Sequence, residues 1–259
     1  MKKWITIPFS AFLMSAFCTL AYGQRDIYEI SVFKLKSSEQ VTATDNYLKD
    51  AFLPAMHRLG LKQIGVFKPL SNDTAAVKLI YVLVQYISLD VWKKTRLNIQ
   101  SDPVYLQTAK SFVDADTSHL PFVRVESTLT EAFPDQVKLI PTELKSNPDA
   151  IYELRSYESP TMELHKIKVN MFNAGGEVAL FKRLDFQAVF YSDVLSGSKM
   201  PNLIYMVVFA NKASRDEHWK AFVNSPEWKN ISTDPQYRNN VSVNHIDSIL
   251  MQRTSYSDL

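Results

Sequence analysis

The sequence is short of cysteine, glycine and net charge, and each shortage removes a class of function. Its one cysteine, Cys18, falls within the first two dozen residues. The rest of the chain can therefore form no disulfide, cysteine nucleophile or thiolate zinc site. Only 6 of the 259 residues are glycine. Neither G-x-G-x-x-G nor G-x-x-x-x-G-K-[ST] occurs, nor do H-E-x-x-H or G-x-S-x-G. Dinucleotide, P-loop, zincin and α/β-hydrolase chemistries are disfavoured accordingly. The histidines His57, His119, His165, His218 and His245 are scattered, so no metal site is expected from them and no cofactor is implied. A formal net charge of +2 gives no basic surface for phosphates, so no nucleic-acid partner is expected.

That small charge itself lies at the front of the chain. Met1 to Gly23 carries Lys2 and Lys3, then an apolar stretch, then the small residues Ala21 and Gly23. This is the pattern of a cleavable secretory signal. Cleavage near Gly23 removes both lysines, and with them the whole net charge, together with Cys18. Phe17 is too bulky for the small position that lipidation of Cys18 needs. The expectation is an exported protein, periplasmic or extracellular. After Gly23 no apolar run approaches the roughly 20 residues that span a bilayer, so no integral membrane span is expected.

What remains shows an internal repeat. Ile27-Tyr28-Glu29-Ile30 matches Ile151-Tyr152-Glu153-Leu154, and Leu79-Ile80-Tyr81-Val82 matches Leu203-Ile204-Tyr205-Met206 at the same offset. Trp92-Lys93 matches Trp219-Lys220 slightly further on. The proline-bearing stretch 134–149 reads as a linker between units at 24–133 and 150–257. Each unit reads strand, helix, strand, strand, helix, strand. A helix is expected from about Ser38 to Leu59, capped by Gly60 and kinked or broken near Leu53 by Pro54. In the second unit Leu164, Ile167, Met171, Ala174, Val178 and Phe181 mark one apolar helical face, with a bend at Gly175-Gly176. Leu203 to Phe209 is apolar at every position, which predicts a strand covered on both faces. The expected class is α+β: two tandem ferredoxin-like βαββαβ units packed sheet to sheet as an intrachain dimeric α/β barrel.

Several runs in the second unit resemble the NIPSNAP family. They are Tyr152-Glu153-Leu154-Arg155-Ser156-Tyr157, Met171-Phe172-Asn173-Ala174-Gly175-Gly176-Glu177, and Met200-Pro201-Asn202-Leu203-Ile204-Tyr205-Met206. Arg215 to Phe222 and Pro226-Glu227-Trp228 continue the likeness, which covers most of Ala150 to Thr254. The first unit is a weaker cousin that lacks the Gly-Gly pair and the Met-Pro-Asn lead-in. The resemblance implies the dimeric α/β-barrel fold and says little of chemistry. Eukaryotic members are associated with mitochondria and vesicle traffic. The leader here is not the Arg-rich type of a mitochondrial address, and those roles are not carried over.

The candidate ligand-binding residues follow from position. Glu153 and Arg155 share one face of a central strand, where they form a buried ion pair or line a cavity. Glu29 repeats the carboxylate, but Ser31 replaces the arginine, so one half is expected to hold an unpaired carboxylate. Tyr81 and Tyr205 either line a pocket with Phe190 and Trp219 or, the favoured reading, pack as ordinary aromatic core. Asn173 lies with Glu177 on what reads as a solvated helix face, and Asn202 closes a turn or presents its amide to a ligand. The leading functional expectation is a module that binds a small molecule or a protein partner. A cofactor-independent monooxygenase-like or haem-handling enzyme is the alternative, and a homo-oligomer joined through sheet edges is a third reading.

Overall fold

The computed structural model describes residues 24–259; the proposed signal, 1–23, lies outside the described residues. The first strand, β1 (Ile27–Leu35), sorts its side chains by parity. Tyr28 and Ile30 join one apolar cluster, whereas Ile27, Phe33 and Leu35 join another. This period of two is what lets one strand face two layers. A helical stretch follows: α1 (Ser38–Asn46), a π-type segment (Tyr47–Phe52) and α2 (Leu53–Arg58). Next come β2 (Ile64–Pro69), β3 (Lys78–Tyr86), α3 (Leu89–Ile99), α4 (Pro103–Thr108), α5 (Lys110–Val113) and β4 (Arg124–Ala132). The second half holds β5 (Ile151–Glu158), α6 (Met162–Phe172), α7 (Glu177–Arg183), β6 (Gln187–Ser196) and β7 (Asn202–Phe209). It ends with α8 (Lys212–Asn224), α9 (Pro226–Thr233), α10 (Asn239–Ser242) and β8 (His245–Arg253).

The eight strands close into one antiparallel barrel in the order β1-β3-β2-β8-β5-β7-β6-β4. The sheets of the two halves thus form one closed barrel within a single chain, as the sequence suggested. They are joined edge to edge, β2 to β8 and β4 to β6. The physical reason is the cost of free edges: an open four-stranded sheet leaves two rows of unpaired N–H and C=O groups, and closure removes them. Tyr28, Tyr152, Phe67, Phe190, Met206 and Met251 fill the interior. Helices cover the outside of each half over its own apolar layer. With both faces covered, β7 is buried at every position, as its unbroken apolar run predicts.

The β2–β8 seam is short, pairing Phe67, Lys68 and Pro69 with Arg253, Gln252 and Met251. The C-terminal tail prolongs it. Thr254 N–H donates to the Val66 carbonyl at 2.9 Å, and Asp258 N–H to the Ile64 carbonyl at 3.0 Å. The Ser257 hydroxyl accepts from Val66 N–H at 2.9 Å, and Leu259 is buried in the barrel interior.

Two local predictions resolve in detail. The helix before Pro54 does not break; its hydrogen bonding slackens to the π pattern over Tyr47–Phe52, and α2 starts with Pro54 in its first turn. Proline lacks an N–H, and the wider register accommodates that loss. Gly60 has φ +89°, suiting the left-handed residue after a helix end. In the second half the predicted bend is a full interruption. Gly176, at φ +86°, separates α6 from α7 and caps the latter.

A candidate cavity and two carboxylate cages

Each half buries a glutamate on the outer face of its first strand, beneath its helices. Glu153 accepts five hydrogen bonds: from Arg155 Nη1 at 2.7 Å, Arg215 Nε at 2.7 Å and Nη2 at 2.9 Å, Trp219 Nε1 at 2.8 Å and Ser248 Oγ at 2.6 Å. Burial pushes its carboxyl up, but the bonds from Arg215, Ser248 and Trp219 and the Arg155 charge outweigh burial and hold it at about 2. Arg155 is flanked by aromatics, its guanidinium 4.6 Å from the Trp219 ring centre and its Nε donating to the Tyr157 hydroxyl at 3.1 Å.

Glu29 is not unpaired, contrary to the sequence expectation. It accepts from Tyr86 at 3.2 Å, Trp92 Nε1 at 3.0 Å, Arg96 Nη1 at 3.0 Å and Ser127 Oγ at 2.9 Å. The missing strand arginine is replaced from α3. Arg215 precedes Trp219 by one helical turn, whereas Arg96 follows Trp92 by one, so either order places Trp and Arg over the same carboxylate. A signal for this existed in the sequence, because Arg-x-x-x-Trp and Trp-x-x-x-Arg each lie on one helix face.

The cages differ in what surrounds them. Beside Glu29 lies a cavity of about 340 Å³, open to solvent and floored by Glu29, Ser31 and Arg96. Tyr47, Leu48 and Phe52 of the π-type segment wall it, with Met56, Val82 and Tyr105. The size falls at the lower end of the ~300–1,000 Å³ typical of small-molecule sites. Strand register gives the equivalences. Glu29 lies opposite Val84 as Glu153 lies opposite Val207, and Ser31 opposite Val82 as Arg155 opposite Tyr205. Arginine and tyrosine thus stand in the second half where serine and valine leave space in the first. Tyr205 packs there within 6 Å, centre to centre, of Tyr157, Phe172, Phe181 and Tyr191, and its hydroxyl lies 3.0 Å from that of Tyr157.

The same register corrects the expected pairing of Tyr81 with Tyr205. Equal spacing in sequence suggested equivalence, but Tyr81 lies opposite Val32, one step out of phase with Tyr205. One residue of slip turns a side chain to the other face. Tyr81 and Phe190 point into the barrel, and Tyr205 and Trp219 belong to the outer layer of the second half. The four therefore do not share a pocket. Glu153, Arg155, Tyr205 and Trp219 do come together; Glu29 stands alone in the other half.

Asn173 and Glu177 are buried rather than solvated. The chain leaves the helix at Asn173, whose amide donates to the Val169 carbonyl at 2.8 Å and whose Oδ1 accepts from Asp135 N–H at 3.3 Å. Glu177 turns inward to Lys168 Nζ at 3.2 Å. Burial raises the Glu177 carboxyl against the opposing pull of Lys168. Lys168 was missed, although it sits four residues after Leu164 and three before Met171, within the apolar stripe. Its ammonium lies 5.0 Å from the Phe172 ring centre and 5.7 Å from those of Tyr157 and Trp228.

Asn202 opens β7 at a second cavity, about 160 Å³, at one mouth of the barrel. Its amide exchanges hydrogen bonds with the Ser156 hydroxyl at 2.8 and 3.2 Å. Tyr81 lines this mouth, where burial and the charges of Asp247 and Glu126 push its hydroxyl up to about 12. Glu158, His245 and Asp247 gather at the rim with ligand atoms within 4.8 Å of one another. Lys199 bridges the two carboxylates there and supplies the positive charge.

The closed eight-stranded barrel with helices outside is that of the dimeric α/β-barrel proteins. A candidate monooxygenase from Lactobacillus acidophilus NCFM has this fold at 10% identity and a TM-score of 0.57, covering 88% of this chain and 94% of that one. An anthrone oxidase-like protein aligns at 10% identity and a TM-score of 0.54, covering 90% and 93%. Residues 152–258 match the NIPSNAP family model. A NIPSNAP family protein from Agrobacterium tumefaciens str. C58 covers 42% of this chain and 96% of its own, at 18% identity and a TM-score of 0.37. No curated protein matches the sequence. No helix among the described residues is long and apolar enough to cross a membrane.

Proposed function

We propose that the protein is an exported binding module that holds one small, largely apolar molecule in the cavity of its first half. The observation that carries this reading is the asymmetry between the halves: Ser31 and Val82 leave open the space that Arg155 and Tyr205 fill. The π-type turn in the cavity wall supports it, since such turns collect at functional sites. Strand orders β4-β1-β3-β2 and β8-β5-β7-β6 within the barrel support a tandem pair of ferredoxin-like units, 24–133 and 150–257, joined by 134–149. On this reading the second unit is the partner that completes the barrel. The leader at 1–23 supports export.

The test is native mass spectrometry of the cleaved protein from its own host, beside a Ser31→Arg variant, with 1-anilinonaphthalene-8-sulfonate as a fluorescent probe. Wild type should retain an organic mass or bind the probe, and Ser31→Arg should do neither. Equal behaviour of the two proteins would overturn the reading. The oxygenase alternative rests on fold likeness alone, which is weak support for chemistry. Turnover of a quinol-like substrate by the purified chain would favour it.

A further inference from the structure

We infer that the ligand of the first-half cavity is an aliphatic carboxylic acid, its chain among the apolar walls and its carboxylate on Arg96. The inference rests on the binding reading above and names the ligand's class.

The comparison of the two cages carries it. Arg215 engages Glu153 through two nitrogens and is 20% exposed. Arg96 engages Glu29 through Nη1 alone and is 57% exposed. Among the described residues, no hydrogen bond uses Arg96 Nε or Nη2. A guanidinium presents a planar fork that suits a carboxylate, and here that fork is spent on one side and open on the other. Glu29 takes Nη1 alone, and its oxygens accept their other hydrogen bonds from Tyr86, Trp92 and Ser127. Arg96 also lies 5.5 Å from the Trp92 ring centre.

The aliphatic part of the inference comes from the rim. Leu97, Val104, Leu106 and Val113 are all exposed. They lie on α3, α4 and α5, and Leu106 and Val113 also line the cavity. Exposed apolar side chains scattered singly need no explanation. Leu106 and Val113, exposed where they line the cavity, give a chain of methylenes apolar surface to lie against, whereas a small polar ligand would gain nothing from them. The cavity holds Phe33, Phe52, Met56 and Val82 beyond the charged floor, so an amphiphile fits with its head at Arg96 and its tail inward.

Calorimetry with decanoate and decanol on the full cleaved chain at pH 7.5 tests this, with Arg96→Gln and Ser31→Arg as variants. Decanoate should bind wild type about tenfold or more tightly than decanol, the scale of one charge-assisted hydrogen bond. Arg96→Gln should erase that preference while still binding decanol, which also reports that the variant is folded. Ser31→Arg should lose both. Decanol binding as tightly as decanoate, or a preference that survives Arg96→Gln, would overturn the carboxylate inference and leave the cavity reading standing. If wild type binds neither probe, both fall. Should Arg96→Gln fail to fold, the wild-type comparison decides, with Arg96→Lys as the charge-preserving variant.

Discussion

Arg215 holds Glu153 through two nitrogens, at 2.7 and 2.9 Å, beneath a fully buried carboxylate. Removing that charge leaves Arg155 without its counter-ion and Arg215 with Asp216 alone. Glu153→Gln should therefore cost about 3–5 kcal/mol of stability, the usual range for breaking a buried pair, measured by urea unfolding. The pH dependence has a definite sign. The folded carboxyl, at about 2, lies below its ordinary 4.5. Its contribution is present above that ordinary value and is lost as pH falls towards the folded one. Wild type should lose stability over this window more steeply than Glu153→Gln. Parallel curves would refute the assignment.

Lys168 and Glu177 form a second buried pair, and here burial raises the carboxyl. Glu177→Gln alone should destabilise by about 3 kcal/mol or more, because it strands the ammonium among aromatic rings. Lys168→Met with Glu177→Leu together should be close to neutral, as paired apolar replacements often are. A double-mutant cycle by chemical unfolding reads the coupling. The single and double variants losing equal stability would contradict it.

Val82→Tyr places in the first half the side chain that fills the second. We expect it to weaken decanol binding at least about tenfold, with an overpacking cost of about 1–3 kcal/mol. Calorimetry and thermal unfolding check the two effects separately. Unchanged binding would mean that the cavity beside Glu29 is not where the chain lodges.

The β2–β8 seam relies on the tail. Ending the chain at Arg253 removes backbone bonds to Ile64 and Val66 and takes Leu259 out of the interior. The loss should be about 3 kcal/mol or more, from one buried leucine and several hydrogen bonds. Hydrogen exchange should speed most at the Ile64 and Val66 amides, which lose the Asp258 and Ser257 side chains. Uniform exchange across the barrel would show that the seam is not local.

Much of the architecture was legible in local pattern. The apolar run of β7 and the cap at Gly60 each obey a period or a backbone preference that one sequence displays. The stripe predicted through Leu164, Ile167 and Ala174 did not hold, because α6 buries His165, Lys168, Met171 and Phe172 and leaves Ala174 exposed. The class of site was only half legible. Glu153 and Arg155 stood out because they share a strand face. The replacement of that arginine by Arg96 was signalled only by Trp-x-x-x-Arg on one helix face, which does not say that this turn of α3 overlies β1. Tyr81 misled for a related reason: counting residues ignores a register that slips by one between the halves, and only hydrogen-bond pairing exposes it. The cavity could not be read from the sequence because it is defined by what is small, at Ser31 and Val82, against a three-dimensional counterpart.

Closure of the barrel within a single chain has a further consequence. In a two-fold dimer of identical subunits, every substitution appears twice, so a pocket opened in one subunit is opened in both. Here the seams join unlike partners, and a change at Ser31 imposes nothing on Arg155. Rigidity and reception can then be divided at this position, the half with Arg155 and Tyr205 acting as buttress and the half with Ser31 and Val82 as receptacle.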